Sequence, residues 1–255
     1  MPDFRRHRLG LNHISVPPSP HLTGVLAPLD VPAVTDWLAM ARARAGVQVC
    51  DGDTLGNDAL GCCVPAGAYR AVQIMRAIVA GDARKPTADQ VAVLYRLWSG
   101  WDGTPATDHG TNSDKAAVMW MQFGIPWGDQ FEDVPQVVPL EIASLRAAVA
   151  FLGPAQVDLA LPIAWQTESV WDAVDGPAGE RGSWGSHRVC IAGCGPYLSN
   201  VVTWGEEVGI TAAGLAKYAL GAWASVSRSW LDATGKTPAR LDFDALAAEG
   251  ATLTE

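Results

Sequence analysis

The segment Gly56-Asn57-Asp58-Ala59-Leu60-Gly61-Cys62-Cys63-Val64-Pro65 most constrains the fold, because it starts the clearest helix of the chain on a cysteine. Beyond Val64, the apolar residues Ala68, Ala71, Val72, Met75, Ile78 and Val79 recur at helical spacing, and Gly81 closes the run. Pro65 falls in the first turn, where a missing N–H costs nothing. This predicts a helix over 64–80, with Cys63 at its N-cap or first position. Free N–H groups and the positive end of the helix dipole lie there, and the dipole alone favours thiolate by about 0.3–1 kcal/mol. An imidazolium beside such a cysteine lowers its pKa further, to about 3.5–7.5.

The candidate imidazole is His187, in Gly185-Ser186-His187, at the head of a short apolar strand over 188–192. A strand over 200–204 ends in Thr203-Trp204-Gly205. Between the cysteine and the histidine, helices are expected over 87–98, 113–123 and 139–152, and an alternating strand over 157–161. Thr211 caps a helix to about 219, and 223–226 returns as a strand. Before the cysteine, 1–35 reads as an extended arm, punctuated by Val16-Pro17-Pro18-Ser19-Pro20, Pro28 and Pro32. A short amphipathic helix follows within 32–45. Helices gathered first and strands second predict an α+β fold in two layers. The expected organisation is an arm (1–35), one α+β domain (36–235) and a C-terminal tail (236–255).

Composition narrows the function. The net charge of −9 and the lack of a basic face beyond Arg5, Arg6 and Arg8 argue against a nucleic-acid partner. No run approaches the roughly 18 apolar residues of a membrane span, and no apolar stretch follows the basic N-terminus as in a secretory signal. The chain is therefore expected in the cytoplasm when synthesised. Five cysteines in 255 residues do not make a disulfide scaffold. His187, Cys190 and Cys194 resemble a zinc set, but on a strand His187 and Cys190 face opposite sides, so no metal and no other cofactor is expected. The 11 Trp lie mostly beside apolar runs and are expected in the core.

A thiol at a helix start with a distant histidine is the minimum set for a thiol nucleophile. Asn57, six residues before Cys63, can join the Cys63 N–H in an oxyanion hole. In these respects the sequence resembles the papain-like cysteine peptidases over about 50–230. That family has a Gln six residues before a helix-opening Cys, then a His at a strand start, then Asn-Ser-Trp-Gly. Here Asn57 stands for the Gln, Cys63 opens the helix, and Val202-Thr203-Trp204-Gly205 stands for the last motif. The Gly-Asn-Asp-x-x-Gly-x-Cys signature resembles a divergent group of bacteriophage and prophage genomes.

The resemblance implies a papain-like α+β fold, with a helical half carrying the Cys helix against an antiparallel sheet half. It also implies Cys63 and His187 as catalytic residues, with Trp204 and Cys62 in the site wall. Val202 replaces the Asn that orients the histidine, which leaves Thr203 and Asn200 as candidates for that task. Two functions are expected. One is a cysteine peptidase or amidase acting on a protein or peptide, with activity weakened or lost by these departures. The other is a non-catalytic structural or binding protein on the same scaffold, such as a component of a phage virion that meets its neighbours through the arm. The first requires a Cys63 thiolate at neutral pH and an open cleft above it.

Overall fold

The computed structural model describes residues 2–12, 26, 29–128, 130–132, 136–227, 230–231 and 236. The proline run at 16–20, Pro28 and all of the tail except Lys236 lie outside the described residues.

Six helices are described in full: α1 (Trp37–Ala45), α2 (Cys63–Ala80), α3 (Ala88–Ser99), α4 (Ser113–Phe123), α5 (Leu145–Leu152) and α6 (Ala212–Tyr218). Their starts follow the capping residues. The Thr87 hydroxyl accepts from the Gln90 N–H and the Gln90 side chain accepts from the Thr87 N–H, a complete capping box on α3. Asp36, Asn112 and Thr211 cap α1, α4 and α6 in the same manner. The helix expected over 139–152 is shorter. Gln136–Leu140 forms a strand, a single 3-10 turn follows at 142–144, and α5 begins only at Leu145.

The strands are β1 (Leu11–Asn12), β2 (Thr35–Asp36), β3 (Thr111–Asn112), β4 (Ile125–Trp127), β5 (Gln130–Glu132), β6 (Gln136–Leu140), β7 (Ala155–Leu161), β8 (Val170–Trp171), β9 (Gly185–Cys194), β10 (Leu198–Thr203), β11 (Glu206–Thr211) and β12 (Ala219–Val226). The main sheet runs β6-β12-β7-β9-β10-β11-β8, with β2 added against β9. All its pairings are antiparallel except β11 with β8. Pro139 is tolerated because β6 is an edge strand with β12 as its partner. The alternation expected at 157–161 does not produce a wet face. Every residue of β7 is buried, because other elements cover both faces.

Sequence reading ended a strand at Trp204-Gly205 and foresaw no β11. The structure makes Trp204 (φ 47°) and Gly205 (φ 76°) the two-residue loop of a hairpin that pairs Thr203 with Glu206. Two consecutive positive φ angles give the turn whose twist matches antiparallel strands.

Helix α2 lies between two hydrophobic cores. It gives Ala71, Ile74 and Ala77 to the sheet side, among Val157, Leu159, Val189, Ile191 and Val201. It gives Val64, Tyr69, Val72 and Met75 to the helical side, among Val91, Leu94, Tyr95, Trp98 and Trp120. Its approach to the sheet depends on Gly67. A Cβ there would lie 2.5 Å from Gln156 Oε1, and the Gln156 amide already donates to the Gly67 carbonyl at 3.1 Å.

Gly67→Ala is therefore expected to destabilise the protein by about 1–3 kcal/mol, despite the better helix propensity of alanine. Gly67→Ala with Gln156→Ala should recover part of the loss. Urea unfolding measures both, and an unchanged midpoint in the single variant would show that the contact relaxes freely.

Candidate active site

Cys63 is the first residue of α2, and Cys62 takes the N-cap position without a side-chain capping bond. Both sulfurs are buried. Burial pushes the Cys63 thiol up to about 11, while the backbone N–H groups of Arg188 and Gly10 act on the sulfur in the opposite sense. Cys62 is raised further, again chiefly by desolvation. It packs into the helical core, away from solvent oxidants.

His187 sits near the start of β9 and is fully buried. Its ring stacks on Trp204, with centroids 4.1 Å apart and planes 18° from parallel. Nε2 meets Thr203 Oγ1 at 2.8 Å, and Nδ1 has no partner. Desolvation lowers its pKa to about 3, against the opposing pull of the Asp158 carboxylate. Of the two candidates for orienting the ring, Thr203 makes the bond. The Asn200 amide goes instead to Glu207 Oε1 at 2.9 Å. A register shift between Asn200 and Val201, where β10 pairs with β9, precedes the tight turn at Trp204-Gly205.

Asn57 is buried, and its Oδ1 lacks a hydrogen bond. With Cys63, Thr54, Leu55, Arg70, Arg188, Thr203, Trp204 and Gly205 it lines a cavity of about 20 Å³. That is room for roughly one water. Leu55 (φ 56°) and Trp204 (φ 47°), the two non-glycine residues with positive φ among those described, both lie in this wall. Such strain collects where a structure holds a particular geometry.

Sequence reading missed the charges beneath. Asp158 on β7 pairs across the sheet with Arg188 on β9. The guanidinium donates to both carboxylate oxygens, Nη2 at 3.1 Å, and lies 4.3 Å from the Trp223 ring. The Ser113 hydroxyl donates to the same carboxylate. This ion pair acts on Cys63 with both signs. Nothing in the spacing of these residues signalled it; only strand register brings them together. Among the described residues, no group of three His, Cys, Asp or Glu side chains could hold a metal.

In place of the expected open cleft, the described residues around Cys63 leave only the small cavity that Asn57 lines, and residues of the arm lie close by. Residues 4–11 pass over the site. Phe4 and His7 each lie 5.1 Å from Trp204, the Arg8 N–H donates to the Asp58 carbonyl at 3.2 Å, and β1 pairs in parallel with β3. The expected neutral-pH thiolate is reversed too, because burial leaves Cys63 a neutral thiol and His187 a neutral imidazole.

No protein-family model and no curated protein sequence matches the chain. Solved structures do. Xylellain, a cysteine protease from Xylella fastidiosa, matches with a TM-score of 0.57 at 15% identity, over 87% of this chain and 97% of that one. Digestive procathepsin L 3 from the Tenebrio molitor larval midgut matches at 0.57 and 16%, over 88% and 77%. The Carica candamarcensis cysteine protease CMS1MS2 matches at 0.51 and 16%, over 77% and 99%. The fold is therefore papain-like, with a helical half and an antiparallel-rich sheet half.

A buried neutral histidine whose pKa falls from 6.5 to about 3 stabilises the folded state above pH 6.5. That stability should be lost as pH falls from about 6.5 toward 3, with a slope of up to about 1.4 kcal/mol per pH unit. Chemical unfolding across this window should show the slope in the parent and a flatter profile in His187→Gln. Equal slopes would mean that the ring is not held neutral. Thr203→Val should separately cost about 1–3 kcal/mol by leaving Nε2 unpartnered.

Proposed function

We propose that the protein is a thiol hydrolase, a cysteine peptidase or amidase, in a closed form. The observation that carries this reading is one shared cavity wall. Cys63 at a helix N-terminus, the Asn57 amide, and Thr203 and Trp204, which hold His187, all meet there. In this mechanism the Cys63 sulfur attacks an amide carbonyl and His187 takes the thiol proton. The tetrahedral oxyanion is held by the Cys63 N–H and the Asn57 side chain. The thioester forms as His187 protonates the leaving amine, and water then hydrolyses it.

Closure and chemistry are linked through solvation. Desolvation is the largest cause of both pKa shifts, so any opening that admits water to Cys63 and His187 lowers the main penalty on their charged forms. What remains acts with both signs: the helix N-terminus and Arg188 favour the thiolate and Asp158 opposes it, while Asp158 favours the imidazolium and His7 opposes it.

A second reading has its own support. Closure over a neutral Cys63 and His187 also fits a binding protein that has kept the scaffold and lost the chemistry. The expectation of a phage-particle component belongs here and rests on the Gly56–Cys63 signature; residues 4–11 of the arm, expected to meet neighbours, pack on their own domain instead.

Phe4→Ala with Arg8→Ala should loosen the arm in the full chain. Cys63 alkylation by iodoacetamide should then rise by about tenfold or more, because reactivity tracks the open population. Hydrolysis of fluorogenic casein should appear. His187→Ala in that background should abolish it, and Asn57→Ala should lower kcat by about 10²–10³. A reactive Cys63 with no hydrolysis of casein would instead favour the binding protein.

A further inference from the structure

A much larger cavity lies at the Cys194 end of β9, about 20 Å along the strand from His187 at about 3.3 Å per residue. It shares no lining residue with the cavity beside Cys63. Its volume is about 510 Å³, within the range of about 300–1,000 Å³ that holds small organic ligands. Three segments enclose it: residues 142–146 leading into α5, the β9–β10 turn with the start of β10 at 195–199, and one face of α6. On α6, Ala212, Leu215 and Ala216 fall at i, i+3 and i+4, so an apolar stripe with two small residues faces the space.

The other walls combine apolar surface with one cation. Ile142, Leu145 and Leu198 are aliphatic, and Tyr197 lies in the lining while 85% exposed. Its ring offers an apolar face with a polar tip left in water. Among the described residues that line the cavity, Arg146 alone is charged. Its Nη2 donates to the Pro32 and Ala33 carbonyls at 3.2 and 2.8 Å, which anchors the guanidinium without neutralising it. Nε is buried and lacks a partner. The nearest acid in the sequence, Glu141, is exposed and outside the lining. The Arg146 charge acts on the Cys194 thiol, whose sulfur lies 3.5 Å from the Ser199 hydroxyl, so the guanidinium is in electrostatic range of the opposite wall. A guanidinium fixed through one nitrogen keeps donors for a planar anion, and a carboxylate matches its fork.

We propose that this cavity binds a small amphipathic carboxylate, with its apolar body against Leu145, Leu198 and Tyr197 and its head group at Arg146. The site is separate from Cys63, so the proposal stands apart from the hydrolase reading. The head group sets the ranking of ligands. A neutral alcohol with the same body loses the charge-assisted bond, and an ammonium meets a like charge. A carboxylate without the body buries no apolar surface.

Isothermal titration calorimetry on the full chain tests this with octanoate, octanol, octylamine and acetate. Octanoate should bind once per chain, at least about tenfold more tightly than octanol, and octylamine and acetate should not saturate. Arg146→Gln should weaken octanoate by about tenfold or more while octanol stays within about twofold of the parent. Ala216→Trp places an indole in the cavity from an exposed position on α6 and should abolish octanoate binding. No heat with octanoate, equal affinity for octanoate and octanol, or unchanged octanoate binding in either variant would overturn the proposal. If Arg146→Gln fails to fold once the Pro32 and Ala33 carbonyls lose their donor, the ranking of the probes on the parent and their loss in Ala216→Trp decide it.

Discussion

Helix α2 is buried on nearly every side, and the rest of the structure follows from that constraint. A helix with one apolar stripe needs one wall; α2 needs two. The sheet supplies one and the helices α3 and α4 supply the other, so the chain builds two cores with α2 between them. The end of such a helix lies where the two halves meet. Its N–H groups at Cys63 are then presented at a seam, and loops from both halves reach them. Gly67 permits this seating, because the helix meets Gln156 of the sheet where a side chain on α2 would not fit.

The same burial governs the electrostatics. A helix N-terminus offers roughly 1 kcal/mol to a thiolate, whereas full desolvation of an unpaired charge is worth several. Desolvation wins in the closed form, and the Cys63 thiol goes up while the His187 imidazolium goes down. The Asp158 carboxylate accepts from Arg188 and Ser113. A buried pair of this kind adds little net stability, but removing one member leaves an uncompensated charge. It therefore fixes the register of β7 on β9 beneath the site more than it strengthens the fold.

Much of this was legible in the sequence, and the parts that were not share a cause. The 64–80 periodicity, Gly81 and Pro65 located α2 within a residue, and Thr87 with Gln90 located the start of α3. These are local signals. The last two residues of β6 were read as a helix start because Pro139 and the apolar run after it suit one as well as an edge strand. Strand β11 was missed because Glu206 and Glu207 carry no apolar alternation, and only the positive φ angles at Trp204-Gly205 reveal the hairpin. For His187, a period of two puts Thr203 and Val202 on opposite faces, but it cannot say which face meets the ring. Tertiary register decides that, and it decides for Thr203. The course of residues 4–12 was illegible for the same reason. Its partners Asp58, Asp108 and Thr111 lie 50 to 100 residues away, beyond any local pattern.

The direction of the arm sets which atoms of Gly10 face the Cys63 sulfur. Attack needs an electrophilic carbonyl carbon at the sulfur and an oxygen free to enter the oxyanion hole. Here the group of Gly10 that acts on Cys63 is its N–H, while its carbonyl oxygen accepts from the Thr111 N–H. The parallel pairing of β1 with β3 fixes that orientation. A neutral thiol facing an amide N–H has nothing to attack, and the oxygen that would carry the developing charge is bound elsewhere. The arm is thus seated by its backbone pairing with β3, with the Gly10 N–H rather than its carbonyl toward Cys63.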